Sequence, residues 1–351
     1  KNKITGISSL WTAHHVEVDA TCAATTYNAT TARVGARWYE IGALTGTPSV
    51  TQFGTVCTTS GTSTVWNSLR GYLFPTVAET GQGHMALGAT YAASNPSEYA
   101  GVAVTGRLRT DTLGALEAVT LAQTSSYTYR LCDGTSGACP RNRWGDYSFT
   151  DVDPNDDMTV WTFQEYANAT NSWAVRATQL KAPPPPAATA NPTTIPQGAT
   201  SQTVVCTRTS GTNEFFDPGT ESCGGPGWAN HISATATNNV AVNSITFDSI
   251  SQVTLSLDTV ASTPNTPSVI TIMNPDGQTA ACNITVGSPL AITLADFSAA
   301  QTGDYILLTW ETANELNNRG FNLYRGVSPT APDRQLNELL IPSQSQGNPG
   351  G

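Results

Sequence analysis

Charge is scarce in this chain. Asp, Glu, Lys and Arg make up 12% of its residues, about half the usual share for a soluble domain. Lysine is almost missing, with Lys1, Lys3 and Lys181 as its three positions. With 16 basic against 26 acidic residues, the formal charge is −10. No basic patch can be drawn on such a chain, which excludes nucleic acid and anionic membrane surfaces as partners. No stretch of ~18 apolar residues occurs, so no helix of a membrane-spanning kind is expected. His-Glu-x-x-His, Gly-x-Ser-x-Gly, a phosphate loop and Gly-x-Gly-x-x-Gly are all missing from the sequence, and with them the common hydrolase and nucleotide signatures. The chain has no initiator Met and no signal-peptide pattern. Lys1 leads almost directly into patterned sequence, and a mature or internally cleaved product is the expectation.

What remains is a chain whose surface must be covered by Thr, Ser, Asn, Gln and Gly. That composition suits short strands joined by turns, in an all-β protein outside the cytoplasm. The cysteines agree with an oxidising compartment. Cys132 and Cys139 bracket a flexible Asp-Gly-Thr-Ser-Gly-Ala loop that closes easily, and Cys22 and Cys57 flank one repeat-like unit. Both are plausible disulfide pairs; the competing reading is free, buried thiols. Cys206, Cys223 and Cys282 share a later module, so one of them is expected to be left over. Sequons at Asn28, Asn168 and Asn283 fit surface loops and glycosylation, although such triplets arise often by chance in a Thr-rich chain.

An internal repeat organises the first half. Leu10-Trp-Thr-Ala13, Met85-Ala-Leu-Gly88 and Val160-Trp-Thr-Phe163 recur at a spacing of 75 residues. The register extends back into turn residues at Thr5-Gly6, Thr80-Gly81 and Asn155-Asp156, and forward to Val16, Tyr91 and Tyr166. Second strand-like runs follow at Val34–Ile41, Tyr99–Leu108 and Ser172–Leu180, and third runs at Ser49–Val56 and Ala118–Gln123. These runs are rich in β-branched and aromatic residues and bounded by turn formers. A repeated antiparallel unit of this kind predicts β-propeller blades, although blades are usually about 40–50 residues long, so insertions must fill the excess. Residues 1–180 hold roughly two and a half such units, whereas closed propellers need at least about four. Completion from upstream sequence or from another chain is the expectation, because open edges invite pairing.

Residues 181–192, with four consecutive prolines, read as a semi-rigid polyproline linker. Within 193–288, Val253, Leu255 and Leu257 alternate with polar residues, as do Ile270 and Ile272 and the Cys282–Val286 run. This is the pattern of a β-sandwich. Residues 289–351 open a third module, through Ile306-Leu-Leu308-Thr-Trp310 and Phe321-Asn-Leu323. It has room for three or four strands where a sandwich needs about seven, and looks cut short.

The run from Asn142-Arg-Trp144-Gly-Asp146-Tyr147 through Asp151-Val-Asp153-Pro-Asn-Asp156-Asp157 to Trp161-Thr-Phe-Gln-Glu165-Tyr166 resembles the last blades of sialidase-like propeller regions in large secreted bacterial proteins. Phe215-Phe-Asp-Pro-Gly, Asn230-His-Ile-Ser and Asn274-Pro-Asp-Gly-Gln look like a bacterial immunoglobulin-like repeat. Trp310 to Arg325 is similar to the front half of a fibronectin type III-like module. These resemblances imply extracellular or cell-surface display and imply no reaction.

A sialidase-like propeller would need an arginine cluster for a carboxylate, a carboxyl acid/base and an activated nucleophile. Arg37, Arg70, Arg107, Arg109, Arg130, Arg141, Arg143 and Arg176, with Glu40 and Glu165, are raw material for that chemistry and not a motif. Thr159-Val-Trp161 departs from the Asp-box spacing, and Met158 stands where a glycine is wanted. No catalytic residue is assigned. Asp151, Asp153, Asp156 and Asp157 offer oxygen ligands to Ca²⁺. The preferred alternative is that they hydrogen-bond to the backbone of a turn. His14 and His15, adjacent on a strand, are expected on opposite faces, not as a metal pair. Trp11, Trp38, Trp144, Trp161 and Trp173 suit either sugar stacking or, for most of them, core packing. The sequence therefore favours a non-enzymatic structural, adhesive or filament-forming protein that associates through open β edges. Glycan recognition or hydrolysis is the alternative.

Overall fold

The computed structural model describes residues 1–19, 21–26, 33–58, 69–93, 98–131, 142–145, 147–209, 211, 214–220, 227–289, 293–314, 318, 320–328 and 331–343. Every element among them is a strand, and no helix is long and apolar enough to cross a membrane. The chain divides into two units. One comprises Lys1–Pro186, Ser210–Ser233 and Met273–Thr279; the other comprises Ala187–Thr209, Ala234–Ile272 and Ala280–Gly351.

The first unit is a stack of three antiparallel meanders. Its first sheet contains β1 (Leu10–Val18), β2 (Arg33–Gly42) and β3 (Ser49–Val56). The second contains β4 (Gly71–Glu79), β5 (Met85–Ala92), β6 (Gly101–Arg107) and β7 (Thr120–Gln123). The third contains β8 (Phe149–Val152), β9 (Val160–Ala169) and β10 (Ser172–Leu180). Leu10, Met85 and Val160, the repeat positions, each open a strand: β1, β5 and β9. The structure adds β4 and β8, one strand ahead of the repeat segment in the second and third sheets. β4 escapes a sequence reading because Pro75 interrupts it, and a proline argues against a central strand. It is tolerated because the β4–β5 register shifts between Leu73 and Thr76.

The middle sheet is covered on both faces, and β5 is buried along nearly its whole length. Toward the first sheet, Leu87, Ala89 and Tyr91 pack with Ala36, Trp38 and Tyr72, and Trp11 and Ala13 close the cluster. Toward the third sheet the interface is polar. Thr76 and Thr150 hydroxyls lie 2.6 Å apart, Gln164 Nε2 donates to Thr76 Oγ1 at 3.0 Å, and Thr90 Oγ1 donates to the Glu165 carbonyl at 3.1 Å. Such partners lie about one repeat apart in sequence, so the sheets stack in repeat register. Backbone bonds continue this register through the turns, from Lys3 N–H to Gly81 O (2.7 Å) and from Gly81 N–H to Asp157 O (2.9 Å).

In the second unit, β11 (Ala188–Gln197), β12 (Gln202–Arg208), β13 (Ser233–Ala236), β14 (Ala241–Ser249), β15 (Gln252–Asp258), β16 (Thr266–Met273) and β17 (Thr279–Pro289) form one seven-stranded sheet. Their order is β13-β16-β17-β11-β12-β15-β14, and the sheet curls nearly into a barrel. β11 pairs antiparallel with β12 as far as Asn191, and parallel with β17 on both sides of Pro192. Proline has no N–H to give, and the β12 pairing stops beside it. Because β11 begins at Ala188, extended pairing starts inside the stretch that reads as linker. Val253, Leu255 and Leu257 are buried and their neighbours wetter, as the alternation requires.

The remaining strands form small pairs: β18 (Thr293–Thr302) with β19 (Tyr305–Asn314), β20 (Gly320–Phe321) with β23 (Ile341–Pro342), and β21 (Tyr324–Ser328) with β22 (Ala331–Gln335). Successive side chains Tyr305, Ile306 and Leu307 on β19 are all exposed. Neighbouring strand residues point to opposite faces, so both faces of this stretch of the hairpin are open.

Candidate functional site

The aspartates proposed for Ca²⁺ do not gather. Asp153 accepts from Asn155 N–H (2.9 Å) and from the Trp161 indole N–H (2.9 Å). Asp156, buried, accepts from the N–H groups of Met158 and Thr159 (both 2.8 Å) and from Thr159 Oγ1 (2.7 Å). Asp157 accepts from Gly81 N–H at 3.1 Å and pairs with Lys3 at 3.4 Å. Asp151 accepts from Val152 N–H. Their oxygens hold the β8–β9 turn and anchor it to the β4–β5 turn. Among the described residues no three His, Cys, Asp or Glu side chains converge as ligands for one ion. Burial pushes the Asp157 carboxyl up, against the pull of Lys3. At Asp153, burial pushes upward but is outweighed by donors from Asn155 and Trp161, and the carboxyl sits low.

The arginines and carboxylates of the glycosidase alternative are dispersed. Arg70 forms a fork on Glu98, with Nε at 2.8 Å and Nη2 at 2.5 Å. Arg109 pairs with buried Glu214, and Arg37 lies over Phe53 on the first sheet. Arg143 and Arg176 are exposed, and Arg141 lies outside the described residues. Glu40 stands on β2 beside Gln52 (2.6 Å), and Glu165 stands on β9, with the middle sheet between their two strands. Trp38 is fully buried, and Trp11 stacks on it at 5.6 Å. Trp161 is half-buried and Trp173 exposed. His14 stacks on Tyr39 (5.6 Å), whereas His15 meets Phe74 edge-on (6.1 Å), so the two rings do take opposite faces. His231 lies against Asp217 at 3.2 Å.

Two of the clefts in the first unit bear on the candidate residues. One, of about 360 Å³, is lined by His84, Arg107, Glu117 and Lys181 among apolar side chains such as Met85, Val104, Met158 and Leu180. His84 Nδ1 accepts the Arg109 N–H at 2.9 Å, which fixes a neutral ring. Burial, and then Arg109, push its pKa down to about 4. Across the same turn, burial pushes Glu79 up to about 7. Stability is therefore lost on both sides. As pH falls from about 6.5 toward 4, the unfolded state takes up a proton that folded His84 refuses. As pH rises from about 4.5 toward 7, the unfolded state releases a proton that folded Glu79 retains. Urea titrations followed by tryptophan fluorescence should give maximal stability of this unit near pH ~5.5. Glu79→Gln should turn the shallow decline on the alkaline side into a rise, and raise stability at neutral pH by about 2 kcal/mol after discounting for partial exposure.

The other cleft, of about 720 Å³, lies at the opposite ends of β4 and β5, and its walls include Phe74, Tyr99, Tyr129 and Trp144. Of the sequence candidates for sugar stacking, Trp144 alone lines it. Phe74 and Tyr129 carried no signal in the strand spacing, because a register shift and an irregular segment place them.

Cys22–Cys57 and Cys206–Cys282 form disulfides, with Cα–Cα separations of 5.8 and 6.1 Å. Cys132, Cys139, Cys223 and Asn28 lie outside the described residues. Asn168, at the end of β9, and Asn283, on β17, are exposed. No protein-family model matches the chain, and no curated protein matches it.

Proposed function

We propose that this protein is a non-enzymatic extracellular scaffold whose propeller-type sheet stack assembles with a second copy, head to tail. One observation carries this: the two end faces of the stack repeat positions that are buried inside it. On the third sheet, Phe163, directly opposite Phe149, occupies the repeat position of Gly88, and both aromatics are exposed. On the first sheet, Leu10, Thr12 and His14 occupy the repeat positions of Met85, Leu87 and Ala89, which the middle sheet buries. That outer face continues through Tyr39 to Phe53, a row of rings about 6 Å apart. The two faces differ as the two sides of one internal interface differ, and a contact between unlike faces is heterologous. The two disulfides support an oxidising setting.

The seven-stranded sheet supports an immunoglobulin-like module, since its first strand lies beside and parallel to its last, and hairpin neighbours flank them. Its bridge joins β12 to β17.

Sedimentation over a range of concentrations tests the assembly. Phe53→Glu and Phe163→Glu should each abolish self-association, because each spoils one end. Mixing the two variants should restore a one-to-one pair through the intact ends. A chain that stays monomeric at all concentrations overturns the proposal, and so does a mixture that fails to pair.

A further inference from the structure

We infer that the aromatic cleft is a glycan-binding site that seats a pyranose ring against Trp144 and Tyr129, without hydrolysing it. The inference stands apart from the assembly proposed above. The cleft volume of about 720 Å³ falls within the range of small-molecule sites. Its four aromatic residues are half-buried, so each ring keeps an accessible part. Sugars present an apolar face of C–H groups and a rim of hydroxyls. They are met by ring faces below and by amide, guanidinium and hydroxyl groups at the edge. Arg130 and Asn142, both exposed, line this cleft with Thr128.

The wall is built before any ligand arrives. Trp144 donates its indole N–H toward Thr90 Oγ1 at 3.4 Å, and its ring meets Tyr129 edge-to-face at 4.7 Å. The segment carrying Tyr129 is tied on both sides. Arg130 N–H donates to Asn171 Oδ1 (2.7 Å), Asn171 N–H donates to Thr128 O (2.9 Å), and Asn142 Nδ2 donates to Tyr129 O (2.8 Å). Phe74 has a φ of +50° at the β4 register shift. A bulky side chain rarely adopts that conformation, and strain of this kind gathers where a side chain is re-aimed for use. Held aromatic anchors lose little entropy on binding.

Binding without turnover follows from the acidic groups. Glycoside hydrolysis needs two carboxyl groups flanking the bond. Among the described residues lining the cleft Glu98 is the acidic one, and the Arg70 fork occupies it.

The test is a printed panel of plant, microbial and animal oligosaccharides probed with the whole chain. Titration calorimetry on the strongest binders and assays for reducing-end release follow. At least one oligosaccharide should bind in the micromolar-to-millimolar range with no reducing ends released. Trp144→Ala should weaken binding roughly tenfold or more. Arg130→Ala, at an exposed position, should weaken it several-fold. Phe53→Glu and Phe163→Glu should leave binding intact, which separates this site from assembly. A panel with no binder overturns the inference, as does binding that survives Trp144→Ala and Arg130→Ala, or release of reducing ends.

Discussion

Replacing Cys206 and Cys282 together by alanine should destabilise the seven-stranded sheet by about 4 kcal/mol, a large share of the stability of an ordinary domain. The bridge spans 76 residues of sequence, and a cross-link of that length removes a large share of the unfolded chain's freedom. Both cysteines are fully buried, with buried Val253 directly opposite Cys206, so deletion also leaves an unfilled space. Hydrogen exchange should show the loss as a fall in protection across β12, β15 and β17. Tryptophan fluorescence should barely change, because no tryptophan stands on β11–β17: Trp11, Trp38, Trp144, Trp161, Trp173 and Trp228 belong to the other unit, and Trp310 stands on β19. If protection in β12 and β17 were unchanged, the bridge would be an ornament on a sheet held by packing alone.

That bridge also marks what the sequence could show. Three cysteines in one module left three pairings open, and spacing does not choose among them. The choice comes from the topology: β11 lies between β12 and β17 and carries Ala188 and Ala190 opposite Cys282 and Cys206, residues small enough to pass beneath a disulfide. Where a pattern is local and one face is buried, the sequence is legible. The alternation through Val253, Leu255 and Leu257 and the repeated strand starts at Leu10, Met85 and Val160 both reappear in the structure. Legibility ends where tertiary neighbours decide. β8 has four residues and no alternation to display, and β4 is masked by Pro75. The aromatic cleft draws Phe74 from a register shift and Tyr129 from a segment without strand structure, so Trp144 alone could be suspected. The aspartate cluster shows the converse. Its composition suits an ion, and in the structure Asp151, Asp153, Asp156 and Asp157 each accept a hydrogen bond from a backbone N–H.

Gly88→Val should unfold the sheet stack at moderate temperature, with a loss of roughly 3 kcal/mol or more. A Cβ on Gly88 would stand 2.0 Å from Thr162 Oγ1, 2.8 Å from Gln164 Nε2 and 3.0 Å from Thr162 Cβ. Neither neighbour can swing aside. Thr162 and Gln164 are fully buried, and Thr162 Oγ1 bonds both Thr150 Oγ1 (2.7 Å) and Gln164 Nε2 (3.0 Å). Moving them strands buried polar groups, which adds to the steric penalty. Gly71→Ala is the control, because its new Cβ would meet atoms no closer than 3.5 Å. It should be near neutral or slightly stabilising through the unfolded chain. Gly88→Ala should fall between the two, and adding Thr162→Ala should recover part of its loss, since the clashing hydroxyl goes with it. Thermal unfolding followed by tryptophan fluorescence measures these variants and Thr162→Ala alone, and additive losses in the double variant would mean that β5 and β9 do not press together here. The same position is Phe163 in the third sheet and Ala13 in the first. A glycine in the middle sheet is thus not part of the repeat; it is the local accommodation that lets two sheets approach closely enough for the threonine and glutamine side chains between them to bond.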